Sequence, residues 1–229
     1  MKIYGIEKLS LVDFDGELAC VLFTAGCNLR CPYCHNSSLV IGKDICEINK
    51  KEVFDFLDKR KNILTAIVVS GGEPTLNTDL PFFMKELRRF GLKIKLDTNG
   101  TNPDMLQNII DNCLADYVAM DVKSSPEGYV EQFGASPELV SKIEKSVEIL
   151  KKNTIPYEFR CTLSHETASN EVIEKMAKWL AGANKLYLQK FEDVGTNLQS
   201  NLTEVNKERA IAYSKILEKH VKNCKLRGY

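Results

Sequence analysis

Short apolar runs and amphipathic stretches alternate along the chain. Runs rich in β-branched and aromatic residues predict six strands, at 19–26, 65–72, 92–100, 116–123, 156–163 and 185–191. Segments with apolar residues three or four apart predict helices between them, at 50–61, 79–90, 103–113, 136–152 and 169–182. A further amphipathic segment, about 203–222, predicts a C-terminal helix, and residues 224–229 predict a short edge strand.

This alternation predicts an α/β fold with parallel strands. Repeated βα units give a parallel sheet covered by helices, which leaves a doubly wound sheet or a barrel as the main choices. In both architectures ligands bind at the carboxyl ends of the strands. The 229 residues fit a single domain over 1–229, with a core of about 15–191 and a C-terminal extension of about 192–229.

Composition narrows the class of protein. Lysine plus arginine and aspartate plus glutamate each number 31, so no basic field favours a nucleic acid partner. The polar N-terminus and the lack of a long apolar run predict no signal peptide and no membrane partner, hence a cytoplasmic protein. In such a compartment, eight cysteines with one dense cluster indicate metal binding instead of disulfides.

The cluster is the stretch "TAGCNLRCPYCHNSSL", residues 24–39, which contains Cys27, Cys31 and Cys34. Thiolates select zinc, copper or iron–sulfur clusters. A four-iron cluster needs one protein ligand per iron, so three cysteines leave one iron open to an exogenous ligand. The alternative is a structural zinc ion whose fourth ligand is His35, Cys20 or Cys46.

Polar residues end the later strands in a similar way. "GGEP" ends the second predicted strand, "DTNG" the third and "DVK" the fourth, while Arg160 and Thr162 lie late in the fifth. Gly71 and Gly72 suit a close backbone approach, and Glu73 suits an ammonium group. Asp97 could instead be a helix cap or a surface charge, and Arg160 could form a structural ion pair.

Together, "GCNLRCPYCHN", "SGGEP", "LDTNG" and "MDVK" resemble the radical S-adenosylmethionine (SAM) superfamily. Within it, they resemble the activating enzymes of glycyl radical enzymes, most of all the anaerobic ribonucleoside-triphosphate reductase activating proteins and, more distantly, the pyruvate formate-lyase activating enzymes. The resemblance spans residues 10–191. It implies a partial (β/α)6 TIM-like barrel with parallel strands, followed by the C-terminal helix and short strand.

The resemblance also implies roles for individual residues. Cys27, Cys31 and Cys34 would hold one [4Fe–4S] cluster, whose open iron binds SAM. The cofactor contacts would come from Tyr33, His35, Gly71, Gly72, Glu73, Asp97, Thr98, Asp121, Lys123, Arg160 and Thr162. A monovalent cation would bind Asp97, Thr98, Asp121 and the Ala119 carbonyl. Tyr33 and His35 could equally be ordinary loop packing, and Gln189 receives no role.

The implied activity is reductive cleavage of SAM and hydrogen abstraction from a glycine of a partner protein. That partner would be a glycyl radical enzyme, with anaerobic ribonucleotide reductase as the first choice, and the electron would come from a flavodoxin or ferredoxin-type donor. No acid–base residue is expected, because the cofactor performs the chemistry. The alternatives are a radical SAM enzyme for another peptide or small molecule, and a non-enzymatic iron–sulfur or zinc module.

Overall fold

The computed structural model describes residues 1–193 and 195–229. Strands and helices alternate along most of the chain, as expected. The strands are β1 Gly5–Ser10, β2 Ala19–Thr24, β3 Ala66–Gly71, β4 Lys93–Thr98, β5 Tyr117–Asp121, β6 Tyr157–Leu163, β7 Leu186–Lys190 and β8 Cys224–Arg227. The helices are α1 Ser37–Ile41, α2 Lys50–Arg60, α3 Leu80–Leu87, α4 Pro103–Asp111, α5 Pro126–Phe133, α6 Pro137–Lys151, α7 Asn170–Trp179 and α8 Lys207–Leu217. Short 3-10 helices span Pro74–Leu76 and Arg88–Phe90.

The chain divides into two compact units. The first comprises Met1–Asn28, Asn36–Thr98 and Asp104–Val118. Its strands lie in the order β1-β2-β3-β4, with β1 antiparallel to β2 and the others parallel. Ala19, Val21, Ala66 and Val68 form an apolar cluster on one face of these strands, because alternate residues of a strand share a face.

The second unit comprises Leu29–His35, Asn99–Pro103 and Ala119–Tyr229. In it, β6, β7 and β8 are parallel neighbours, and β8 pairs with β7 from Leu186↔Cys224 to Gln189↔Arg227. The Val122 backbone N–H, just after β5, donates to the Arg160 carbonyl on β6 at 2.8 Å. The C-terminal strand therefore extends the parallel sheet of this unit.

The predicted α/β class with mostly parallel strands is confirmed. All six predicted strands of the repeat are present within two residues of their expected ends, and the C-terminal strand is also present. The C-terminal helix is present but shorter than expected, Lys207–Leu217 instead of about 203–222. Among the strands and α-helices, β1, α1 and α5 were not expected from the sequence. The expectation of one domain over 1–229 stays a prediction. No helix in the described part of the chain is long and apolar enough to cross a membrane.

Local sequence explains where several helices begin. Asn49, Ser136, Ser169 and Asn206 each accept a hydrogen bond from a backbone N–H in the first turn of the helix that follows. These side chains satisfy donors that the start of a helix leaves without an intrahelical partner. The capping residues therefore fix where these four helices begin.

Candidate active site

In the first unit, two glycines allow the end of β3 to approach the chain after β2. Gly71 has φ +120°, and a Cβ there would lie 2.3 Å from the Thr24 backbone nitrogen. A Cβ on Gly72 would lie 2.0 Å from the Gly26 carbonyl oxygen, which accepts the Glu73 N–H at 2.8 Å. The backbone itself therefore excludes any side chain at both positions.

Glu73 is held rigidly at the end of β3. The residue is only 1% exposed. Its Oε1 accepts hydrogen bonds from the Thr75 backbone N–H at 3.1 Å and from the Thr98 hydroxyl at 2.7 Å. Glu73 and Thr98, two predicted site residues, therefore meet at the carboxyl ends of β3 and β4.

Asp97 lies inside the first unit and is not a surface charge. The residue is 7% exposed, and its Oδ2 accepts a hydrogen bond from the Ser70 hydroxyl at 3.1 Å. Its Oδ1 lies 3.5 Å from the ammonium nitrogen of Lys95, a neighbour that the sequence reasoning did not identify. The sequence carries one signal for it, because Lys95 precedes Asp97 by two residues and so faces the same side of β4.

In the second unit, Cys31 and Cys34 belong to one tight turn. The Cys34 backbone N–H donates to the Cys31 carbonyl at 3.1 Å. Between them, Tyr33 is 6% exposed, and its ring meets the edge of Phe133 at 6.1 Å between centroids. Within the described residues the Tyr33 hydroxyl is buried without a hydrogen-bond partner, so it can bond to a ligand.

His35 is exposed, and its environment comes from the linker after β7. Its Nε2 lies 3.0 Å from the Glu192 carbonyl, and its own carbonyl accepts from the Thr196 hydroxyl at 3.0 Å. A third bond runs from the Gln199 N–H to the Pro32 carbonyl, also 3.0 Å. The cysteine turn is therefore attached to the C-terminal extension at three points.

Three charged residues of the second unit form one group. Asp121 accepts from Arg160 Nε at 2.8 Å and from Lys123 Nζ at 3.2 Å. Burial raises the pKa of Asp121, but Arg160 and Lys123 outweigh it and lower that pKa to about 2. Burial lowers the pKa of Lys123, but Asp121 and the nearby Cys31 and Tyr33 outweigh it and raise that pKa. The group therefore carries two cations and one anion at neutral pH.

Tyr129 is a residue that the sequence reasoning missed. It is fully buried on α5, and its hydroxyl accepts the Lys123 backbone N–H at 2.8 Å. Its ring packs 5.7 Å from Phe133 and 6.4 Å from Trp179. Lys123 lies only six residues before Tyr129, but no motif in the sequence indicates this hydrogen bond.

Thr162 and Gln189 lie opposite each other on β6 and β7. Both side chains are partly exposed. This register places Gln189 beside Thr162, a predicted cofactor contact, on the neighbouring parallel strand. Its role stays open.

The cysteines separate into two chemical groups. No disulfide joins any of the eight, and burial raises the pKa of Cys20, Cys161 and Cys224 to about 12. These three are therefore thiols at neutral pH. Cys27 and Cys34 are partly exposed and, with Cys31, supply soft donors within eight residues of chain.

Three soft donors and a buried unpaired hydroxyl fit a [4Fe–4S] cluster with one iron left to a ligand. Across residues 1–193 and 195–229, no three His, Cys, Asp or Glu side chains stand close enough to hold a single metal ion. This finding does not separate the cluster from the zinc alternative, which stays open.

Comparison with known proteins shows the family to which the chain belongs. The sequence profile described as "Radical SAM superfamily" matches residues 21–180. A Methanocaldococcus jannaschii protein named "Putative glycyl-radical enzyme activating enzyme" is 36% identical over 201 residues, which cover 83% of this chain and 80% of that protein. The pyruvate formate-lyase-activating enzyme of Staphylococcus aureus is 37% identical over 106 residues, 43% of this chain and 41% of that enzyme.

Solved structures show the same fold. Streptococcus suis SuiB matches with a TM-score of 0.70 and 12% identity, over 92% of this chain and 49% of that one. The structure described as "Native anSMEcpe with bound AdoMet" matches with a TM-score of 0.57 and 20% identity, over 86% and 57% of the two chains. The chain thus spans about half the length of these structures. It belongs to the radical SAM superfamily and is an enzyme of its glycyl-radical enzyme activating group.

Proposed function

We propose that the chain activates a partner glycyl radical enzyme by removing a hydrogen atom from a backbone glycine of that partner. The observation that carries this proposal is the 36% identity to a relative of that name along 83% of the chain. Anaerobic ribonucleoside-triphosphate reductase is the first candidate partner, because the motifs in the cysteine stretch and at the strand ends resemble those of its activating proteins. A flavodoxin or ferredoxin-type protein is the proposed electron donor, and the cytoplasm the proposed location.

Cys27, Cys31 and Cys34 would hold the [4Fe–4S] cluster. With SAM bound, the cluster supplies a one-electron reductive cleavage of the sulfonium that yields methionine and a 5′-deoxyadenosyl radical. The protein's part would be to bind, orient and shield the reactants.

The remaining predicted residues would contact different parts of SAM. Glu73, fixed by Thr75 and Thr98, would accept from the amino group of SAM, while Lys123 and Arg160 would face its carboxylate. Tyr33, His35 and Thr162 would contact the adenosine part, and Gly71 and Gly72 would let the backbone approach the methionine part. The monovalent cation that the resemblance implies at Asp97, Thr98 and Asp121 is not part of the proposed function.

Two measurements test this function in sequence. Reconstituted protein with dithionite and SAM should form 5′-deoxyadenosine, and its absence would favour the non-enzymatic iron–sulfur or zinc module. Addition of a candidate partner should then give the glycyl radical doublet in the electron paramagnetic resonance spectrum.

The partner series should contain the anaerobic reductase and a pyruvate formate-lyase, each beside a variant whose target glycine is alanine. A doublet with the natural partner and none with its alanine variant supports activation. Cleavage of SAM without a doublet from any partner indicates a different peptide or small-molecule substrate.

A further inference from the structure

Lys95 is an unusual residue for the middle of a strand. It lies on β4 and is only 2% exposed, whereas lysine is rarely buried without compensation. Lys93, two residues earlier on the same strand, follows the usual pattern, with a side chain 59% exposed and paired with Glu17. The burial of Lys95 therefore calls for a specific reason.

The surroundings of the Lys95 ammonium stabilise a charge. Its Nζ donates to the Asp13 carbonyl oxygen and lies 5.8 Å and 6.0 Å from the ring centroids of Phe14 and Tyr117. Aromatic faces attract a cation, and a backbone carbonyl accepts one of its protons. The carboxylate of Asp97 lies 3.5 Å from the same nitrogen.

Asp97 connects this ammonium to the candidate site. It ends β4 beside Thr98, whose hydroxyl donates to Glu73, and it accepts from Ser70 on the neighbouring strand. A carboxylate and a hydroxyl in this position are the oxygen donors that a hard cation prefers. A fixed positive charge beside one of these donors would repel a second cation.

We propose that Lys95 is a positioning residue whose ammonium supplies the positive charge beside Asp97, so that the site binds SAM without a monovalent metal cation. This inference rests on the proposed function for the identity of the ligand, SAM. The ion pair between Lys95 and Asp97 does not depend on that function. The role of Lys95 is electrostatic and acts through Asp97.

The test compares potassium chloride with choline chloride at equal ionic strength. In the wild type, SAM affinity and the thermal unfolding midpoint should be the same in both salts. In Lys95→Met, which keeps the volume and removes the charge, SAM should bind about tenfold more weakly in choline chloride. Potassium should restore the affinity and raise the midpoint of the metal-free protein.

Lys93→Met is the matched control, and it should behave as the wild type in both salts. Lys95→Arg keeps the charge and should also remain independent of potassium. A wild type whose affinity depends on potassium overturns the inference, even if Lys95→Met does not fold. So does a folded Lys95→Met that binds SAM equally in the two salts.

Failure of the proposed function would look different. Protein that binds SAM but forms no 5′-deoxyadenosine would contradict the activity and leave the salt comparison valid. The unfolding midpoint of the metal-free protein reports on the Lys95 charge without any activity measurement.

Discussion

At the scale of single residues, the candidate site combines groups that local sequence can identify with groups that it cannot. Cys27, Cys31 and Cys34 stand within eight residues, and Glu73 directly follows a glycine pair. Spacing therefore marks them as candidate site residues, and the family resemblance implies their roles. Lys95 became visible only when distant parts of the chain came together, because its partner is the Asp13 carbonyl. Tyr129 is close to Lys123 in the sequence, but no spacing indicates that its hydroxyl accepts the Lys123 N–H.

The Asp121 group shows that the residue type of Arg160 does not by itself decide its role, because the role depends on which partner lies beside it in the fold. Arg160 was expected either to contact the cofactor or to form a structural ion pair, and it does form an ion pair with Asp121 at 2.8 Å. Since Asp121 has a pKa of about 2, it stays ionised throughout the pH range of ordinary experiments. Its stabilising contribution would fade only as pH falls from the unfolded value of about 4 through the folded value.

Tyr129 provides the prediction at this scale. Tyr129→Phe removes the acceptor of the Lys123 N–H, so the backbone that carries Lys123 loses a fixed point. We expect SAM affinity to fall roughly tenfold, the size typical of groups that orient a ligand-binding side chain. The unfolding free energy should fall by about 1 kcal/mol, the net value of one hydrogen bond.

A matched control exists for Tyr129→Phe in the same unit. The Tyr157 hydroxyl accepts the Asn184 N–H at 3.1 Å, a bond of the same kind outside the predicted site residues. Tyr157→Phe should cost similar stability and leave SAM affinity unchanged. Equal affinity losses in both variants, measured by isothermal titration, would mean that Tyr129 has only a structural role.

At the scale of elements, hydrophobic periodicity predicted the repeated strands and helices, but missed β1, α1 and α5. The strand β1, "GIEKLS", is mostly exposed and carries no apolar alternation, because it lies antiparallel on the edge beside β2. Helix α5 contains Gly128, a poor helix former. A Cβ at Gly128 would lie 2.0 Å from the Ser124 hydroxyl oxygen, so this close local contact requires glycine despite its low helix propensity.

The linker after β7 leads to a second prediction. Its contacts with the cysteine turn include the hydrogen bond from the Thr196 hydroxyl to the His35 carbonyl. Thr196→Val removes that bond and keeps the shape, so the turn should open more often. We expect iron release from the reconstituted protein to a chelator to accelerate up to about fivefold, the factor that corresponds to about 1 kcal/mol.

Thr203→Val is the control for this linker variant. Thr203 lies in the same C-terminal extension, and its hydroxyl donates to Glu166 instead of the cysteine turn. Iron release from Thr203→Val should match the wild type. If both variants release iron equally fast, the linker does not stabilise the turn through Thr196.

At the scale of the whole molecule, the fold does not depend on a metal. Each unit has its own apolar core, with fully buried residues such as Ile67 and Leu96 in the first and Phe159 and Leu188 in the second. A chain of 229 residues buries enough surface to fold without a metal crosslink, unlike small metal-dependent domains. Cluster binding and folding should therefore be separable.

This separation makes Cys31→Ala the decisive variant for the ligand assignment. The substitution removes one thiol from the cysteine turn and leaves only a small cavity, so the thermal unfolding midpoint of the metal-free protein should change little. Because two thiols cannot hold the same cluster, anaerobic reconstitution should then lose most of the iron and the charge-transfer absorption of a [4Fe–4S] cluster. Cys46→Ala, which removes an exposed cysteine outside the turn, should retain both. Full iron content in Cys31→Ala would contradict the three-cysteine site. Loss of iron in Cys46→Ala would also contradict it and would support the zinc alternative.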